Sequence, residues 1–104
     1  MKIDNILKEF RGKIELLYGS QLANIILYGS WARGQATEDS DIDIVVVIKG
    51  HIKPGEEIDR MIEIITDLNL QHGVLLSVYP VSEKNYTDLQ SPLLRNIRRE
   101  GLAA

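Results

Sequence analysis

The chain has 104 residues, 44% of them hydrophobic, and a net charge of −3. That length and apolar content suit one modest core, so one domain is expected over residues 1–104, and the acidic balance offers no general basic field to draw in DNA. Without a single cysteine, disulfide frameworks, thiolate nucleophiles and zinc–thiolate clusters are excluded. The opening MKIDNILKEF scatters charge through what would be the apolar core of a signal peptide. No stretch approaches the ~20 apolar residues of a membrane span. A soluble, cytoplasmic domain is expected.

Ile3, Ile6, Leu7, Phe10, Ile14 and Leu17 share one helical stripe, which predicts a helix over 2–18 despite Gly12. Gly19-Ser20 ends it. Ala23 to Tyr28 is β-branched and aromatic and predicts a strand. Gly29-Ser30 turns the chain, with Ser30 able to cap a short helical turn through Trp31, Ala32 and Arg33; Gly34 stops that turn. Gln35 to Ser40 is a polar loop. Ile42 to Ile48 is apolar on both faces beyond Asp43, the pattern of a central strand covered on both sides. After a loop at 50–55, Ile58, Met61, Ile62, Ile65 and Leu68 predict a helix over 56–69. Val74 to Val81 predicts a third strand. Ser82 has the character of an N-cap, and the helical segment it opens is interrupted or restarted at Pro92. The order predicts an α/β (α+β) domain with a three-stranded mixed sheet packed with helices.

The informative stretch is LYGSWARGQATEDSDIDIVVVI, residues 27–48. In a strand, residues i and i+2 share a face, so Asp41 and Asp43 project together and Ile42 and Ile44 project oppositely. Two carboxylates ~6 Å apart repel by roughly 2–3 kcal/mol at an effective dielectric near 20. A hard cation relieves that repulsion, and Mg²⁺ in particular shares its shell between carboxylates, water and substrate phosphates. Upstream, Gly29 lacks a Cβ and lets backbone amides approach a phosphate. Ser30 offers its hydroxyl and N–H at the start of a helical turn, and Arg33 offers a planar fork for phosphate oxygens. Taken singly, Gly-Ser is a turn, Asp-x-Asp a strand entry and Arg33 a surface arginine. In this order they describe a metal–triphosphate site.

Gly29-Ser30, ten intervening residues and then Asp41-Ile42-Asp43 resemble the pattern of the minimal nucleotidyltransferases of the polymerase-beta-like superfamily, as do GSWARG and SDIDIVVV more broadly. The resemblance implies the minimal polymerase-beta-like fold and transfer of a nucleoside monophosphate from ATP or another NTP to an acceptor hydroxyl. It implies that Gly29 and Ser30, with help from Arg33, hold the β- and γ-phosphates. Asp41 and Asp43, the implied catalytic pair, would hold two Mg²⁺ ions. Small proteins of this kind are similar to antitoxins paired with HEPN-domain ribonuclease toxins, where the implied acceptor is a toxin tyrosine. A homodimer or a hetero-oligomer with that partner would supply the acceptor surface; neither DNA nor membrane is expected as a partner.

The superfamily places a third carboxylate on the strand after the second helix. Here that strand reads VLLSVYPV, with Ser77 at the equivalent position, and serine is a weak Mg²⁺ ligand and a poor base. Glu83 lies just past the strand, as a first-turn helix acid or as a group reaching back. Two further readings therefore stand beside the enzyme: a nucleotide-binding antitoxin of little or no turnover that acts by contact, and a small-molecule transferase of the aminoglycoside type, against which the missing second domain counts. Trp31 either stacks on a base, anchors a partner or packs on its own domain. Arg95, Arg98 and Arg99 form a solvated helix face or a contact for a partner or RNA. His51 and His72 are expected in exposed loops, and Tyr79 and Tyr86 in core and cap packing.

Overall fold

The computed structural model describes residues 2–88 and 91–104. Helix α1, Lys2–Tyr18, runs into a 3₁₀ turn, Gly19–Gln21, and then into strand β1, Leu22–Tyr28. Strand β2, Ile42–Ile48, follows the long turn, and helix α2, Pro54–His72, follows β2. Strand β3, Leu76–Ser82, leads to the short helix α3, Glu83–Asp88; helix α4, Pro92–Glu100, and strand β4, Leu102–Ala103, complete the described chain.

The sheet is mixed, in the order β3-β2-β1-β4. β1 lies antiparallel to β2, β2 parallel to β3, and β4 antiparallel to β1. It thus has four strands where the sequence predicts three. The fourth is only two residues long, too short to show an alternation, and three contacts hold it. The Ala104 N–H donates to the Ile25 carbonyl at 2.9 Å, Arg11 donates to the Ala104 carbonyl, and Gly101 fits where a Cβ would collide with Ile26 and the Ile97 carbonyl.

Alternation along β2 divides the core. Ile42, Ile44, Val46 and Ile48 pack with Ile6, Phe10 and Ile14 of α1 and Met61, Ile65 and Leu68 of α2. Val45 and Val47 pack with Ile26 of β1, Val81 of β3, and Leu94 and Ile97 of α4. Both faces of β2 are covered, as its unbroken apolar run demands. Burial of each such side chain contributes roughly 1.5–3 kcal/mol, which makes β2 the firmest element available for carrying a charged pair at its mouth.

The helix boundaries follow local chemistry. α1 coincides with its apolar stripe. α2 begins at Pro54, where a missing N–H costs nothing, and ends at Gly73 with φ +63°, its N–H bonded to the Asn69 carbonyl. This extends the helix to His72, which the sequence places in a loop. The His72 side chain is only 15% exposed, with Nε2 3.3 Å from Glu9 of α1; His51 is exposed, as expected. Ser82 caps α3, its Oγ accepting from the Asn85 N–H at 3.1 Å. Ser91 caps α4 in the same manner, accepting from the Leu94 N–H at 3.1 Å, which explains the restart at Pro92.

One buried polar contact joins the two long helices. Tyr18 Oη donates to Glu57 Oε1 at 2.7 Å. The Arg60 guanidinium lies 4.8 Å from the Tyr18 ring centre and 3.3 Å from Glu57. Burial, then the bond to Glu57, holds the Tyr18 hydroxyl far above its usual range. This pair fixes the end of α1 against the start of α2.

Candidate active site

β1 ends at Tyr28 and delivers Gly29 and Ser30 to the sheet edge. Gly29 has φ +73°, a left-handed conformation that residues with a Cβ adopt at a cost. The Arg33 N–H donates to the Gly29 carbonyl at 3.1 Å, and the Gln35 N–H donates to the Ser30 carbonyl at 2.9 Å. The segment is a single hydrogen-bonded turn rather than a helix, and it ties the acceptor oxygens of Gly29 and Ser30 back into the loop. Gly34, at φ +71°, returns the chain toward β2.

This turn packs directly on the aspartate strand. A Cβ built on Gly29 would overlap Asp43 Oδ2 and stand 3.1 Å from Asp43 Cγ. The two halves of the motif, separated in sequence by the polar loop, are therefore in van der Waals contact through a position only glycine can fill.

Asp43 occupies the middle of a row across three strands. Tyr28 of β1 is its partner on one side and Ser77 of β3 on the other. Asp41, exposed, immediately precedes β2. Burial first, and then the charge of Asp41, hold the Asp43 carboxyl above the usual carboxylate range, while Arg33 pulls it back down. Arg33 is exposed and also donates from Nε to Gln35 at 3.1 Å. The fold thus brings Gly29, Ser30, Arg33, Asp41, Asp43 and Ser77 to one corner of the sheet.

Sequence reasoning missed two neighbours. Tyr28 and Tyr79 are half-buried on the same side of the sheet as Asp43, packed against the α4 cluster. Burial, then Asp43, then Tyr79 raise the Tyr28 hydroxyl above its normal range. The available signal was position: Tyr28 directly precedes Gly29, so any antiparallel pairing of the two strands places it beside the aspartates.

Glu83 does not reach this corner. β2 and β3 are parallel, so their starts carry Asp43 and Ser77 while Glu83 follows the far end. Six residue steps of strand separate Ser77 from Glu83, about 20 Å at ~3.3 Å per residue. Glu83 instead lies beside Gly50 and His51 at the opposite edge. Trp31 is half-buried against the α1/α2 core, its Nε1 3.4 Å from the Ser40 carbonyl. Tyr79 and Tyr86 pack in the α4 cluster. Arg98 donates to the Tyr86 carbonyl and so ties α4 to α3, Arg99 donates to Asn96 at 3.0 Å within α4, and Arg95 is exposed.

The donor set suits a hard cation. Two carboxylates that repel one another stand at the mouth of a firmly buried strand, Asp41 just before it and Asp43 on it, and the charge of Asp41 raises the pKa of Asp43. Among the described residues no group of three or more His, Asp or Glu side chains is placed to hold a metal ion. A cation here would take two protein carboxylates and complete its shell from water and phosphate, which is the habit of Mg²⁺.

A Gly-Ser turn pressed against the Asp43 strand, at one corner of a mixed sheet, is the arrangement that the sequence pattern of a nucleotidyltransferase predicts. Comparison with known proteins agrees. The chain belongs to the nucleotidyltransferase domain family, whose sequence model matches residues 3–102. A protein of Methanocaldococcus jannaschii, provisionally named a protein adenylyltransferase, is 34% identical over 102 residues, covering 97% of this chain and 96% of that protein. A solved structure described provisionally as a minimal nucleotidyltransferase has a TM-score of 0.59 at 24% identity, covering 98% of this chain and 95% of its own. A solved toxin–antitoxin structure with AMP-PNP has a TM-score of 0.61 at 20% identity, covering 99% of this chain and 72% of that one. At these identities the two structures establish the shared fold. Among the described residues, no helix is long and apolar enough to cross a membrane.

Proposed function

We propose that this nucleotidyltransferase moves AMP from Mg²⁺-ATP to a hydroxyl of a protein partner, a tyrosine of a cognate HEPN toxin, and so serves as a cytoplasmic antitoxin. The observation that carries the nucleotide site is the contact of Gly29 with Asp43. It holds the phosphate turn and the metal strand at a fixed separation, so one triphosphate can bridge them. The resemblance to a protein adenylyltransferase along nearly the whole of both chains supports ATP as donor and a protein as acceptor.

In this reading Gly29 and Ser30 bind the β- and γ-phosphates, and Arg33 neutralises an oxygen from the loop. Asp41 and Asp43 would hold two Mg²⁺ ions, which when bound offset triphosphate charge and ease ionisation of the acceptor hydroxyl. Transfer forms the bond from acceptor oxygen to the α-phosphorus and breaks the bond from that phosphorus to the bridging oxygen. Pyrophosphate departs and the acceptor proton leaves to water. The residues' task is to align these groups, since positioning and charge stabilisation dominate such reactions.

A specific observation favours a second reading. Ser77 stands opposite Asp43, where the family resemblance places a carboxylate. The acceptor side then lacks a protein oxygen anion, and a protein of little or no turnover would neutralise the toxin by contact. Incubation with α-labelled ATP, Mg²⁺ and the cognate HEPN protein separates the two. Label on the partner that is absent with Asp41→Asn/Asp43→Asn supports transfer. No label, with full neutralisation by the double variant, would favour contact alone.

A further inference from the structure

A cleft of about 680 Å³ opens between the start of α1, the loop 29–40 and the link from α2 to β3. Ile3, Ile6 and Ile42 form its floor and Trp31 a wall, while Glu38 and Asp39 stand at its rim. The floor residues belong to the α1/α2 core. Because Ile42 points opposite to Asp43, the cleft opens on the other side of the sheet from the aspartate row. It shares with that row only the loop that joins Ser30 to Asp41.

We propose that this cleft docks the acceptor protein, taking an apolar side chain from a segment that also carries Lys or Arg. This rests on the reading that the acceptor is a protein. Three observations carry it. First, the volume falls within the ~300–1,000 Å³ of a ligand pocket, and its apolar floor lacks a group that demands a polar occupant. Second, the charged side chains among its described lining residues are Glu38 and Asp39, both exposed. An occupant of opposite sign gains both attraction and discrimination against acidic segments. Third, the Trp31 indole N–H points to the carbonyl of Ser40, the residue before Asp41. The wall of the cleft and the mouth of the aspartate strand are therefore tied, and a docked segment is held one loop away from the reacting groups. Tryptophan is enriched among the residues that carry the binding energy of protein interfaces.

The test uses the full ¹⁵N-labelled chain and two synthetic helical peptides. One carries Leu and Lys on one face; the other has Glu in place of every Lys. The Lys peptide should shift the Trp31 indole and the amides of Ala36, Gly73 and Val74, and the Glu peptide should not. Glu38→Lys/Asp39→Lys should weaken the Lys peptide at least tenfold while keeping the thermal shift given by Mg²⁺-ATP. Shifts centred elsewhere, no binding, or equal binding to the charge-reversed variant would overturn the proposal. So would ATP moving the same set of signals, which would make the cleft a nucleobase site. The readout needs no transfer. Peptide binding in the cleft together with no label on the cognate partner would sink the acceptor reading alone.

Discussion

Gly29 rests against the carboxylate of Asp43 with no room for a methyl group between them. Residue 29 belongs to the turn proposed to bind phosphate and residue 43 to the strand proposed to hold metal, so this one contact would set the spacing of the proposed site. Gly29→Ala would impose the cost of a left-handed φ, roughly 1–2 kcal/mol, and would also push Asp43 away. Gly34→Ala meets a similar φ of +71° with nothing within 4 Å of the new Cβ. Urea denaturation should therefore find both variants destabilised, Gly29→Ala the more. Only Gly29→Ala should lose the thermal shift given by Mg²⁺-ATP.

Asp43 should be a residue whose removal stabilises the metal-free protein. Its folded pKa is raised by burial and by Asp41. The stability this group lends is full below its unfolded pKa and is lost as pH rises through the raised folded value. At neutral pH its ionisation is therefore a burden. Asp43→Asn should raise the melting temperature in EDTA, because it removes a charge that burial and Asp41 disfavour. The advantage over wild type should shrink toward acidic pH, where Asp43 is protonated. In saturating Mg²⁺-ATP the order should reverse, because only the wild type gains binding energy. Melting curves across pH, with and without Mg²⁺-ATP, measure all three.

Ser77→Asp places a third carboxylate opposite Asp43. If the native chain turns over slowly because that oxygen anion is missing, the variant should raise the rate of label transfer to the cognate partner tenfold or more. It should also lower the metal-free melting temperature, since a third like charge joins the pair. A lower melting temperature with no gain in transfer would indicate that Ser77 does not occupy the acceptor side.

The Tyr18–Glu57 bond should matter for stability and not for nucleotide binding. Tyr18→Phe leaves the buried Glu57 with only the longer contact to Arg60, at a cost of about 1–3 kcal/mol. Chemical denaturation should register that loss while Mg²⁺-ATP binding stays within twofold of wild type.

The sequence was legible where a pattern repeats or a spacing is fixed. Six apolar residues on one stripe gave α1 to its ends, and the i,i+2 rule placed Asp43 opposite Ile42 and Ile44. Ser77 is found opposite Asp43 because it stands in the middle of the apolar run VLLSVYPV, although the strand itself runs Leu76–Ser82 and not 74–81. What escaped depends on residues distant in sequence. β4 is two residues whose only signal is their partner, β1. Gly73 points to a loop at His72, but it is the left-handed cap that lets the helix run up to His72, where Glu9 of another helix meets it. Tyr18 and Glu57 stand 39 positions apart, and nothing local announces their bond. Glu83 has two readings in the sequence, and the parallel direction of β2 and β3 puts it at the far end of the strands from Asp43.

The central claim is a single Mg²⁺–nucleotide site shared by Gly29-Ser30 and Asp41-Asp43. Calorimetric titration of ATP into the wild type and into Asp41→Asn/Asp43→Asn, each with Mg²⁺ and with EDTA, tests it most directly. The account predicts Mg²⁺-dependent binding to the wild type at one ATP per chain, lost in the folded double variant. Binding of equal strength in both proteins, or binding indifferent to Mg²⁺, would contradict it.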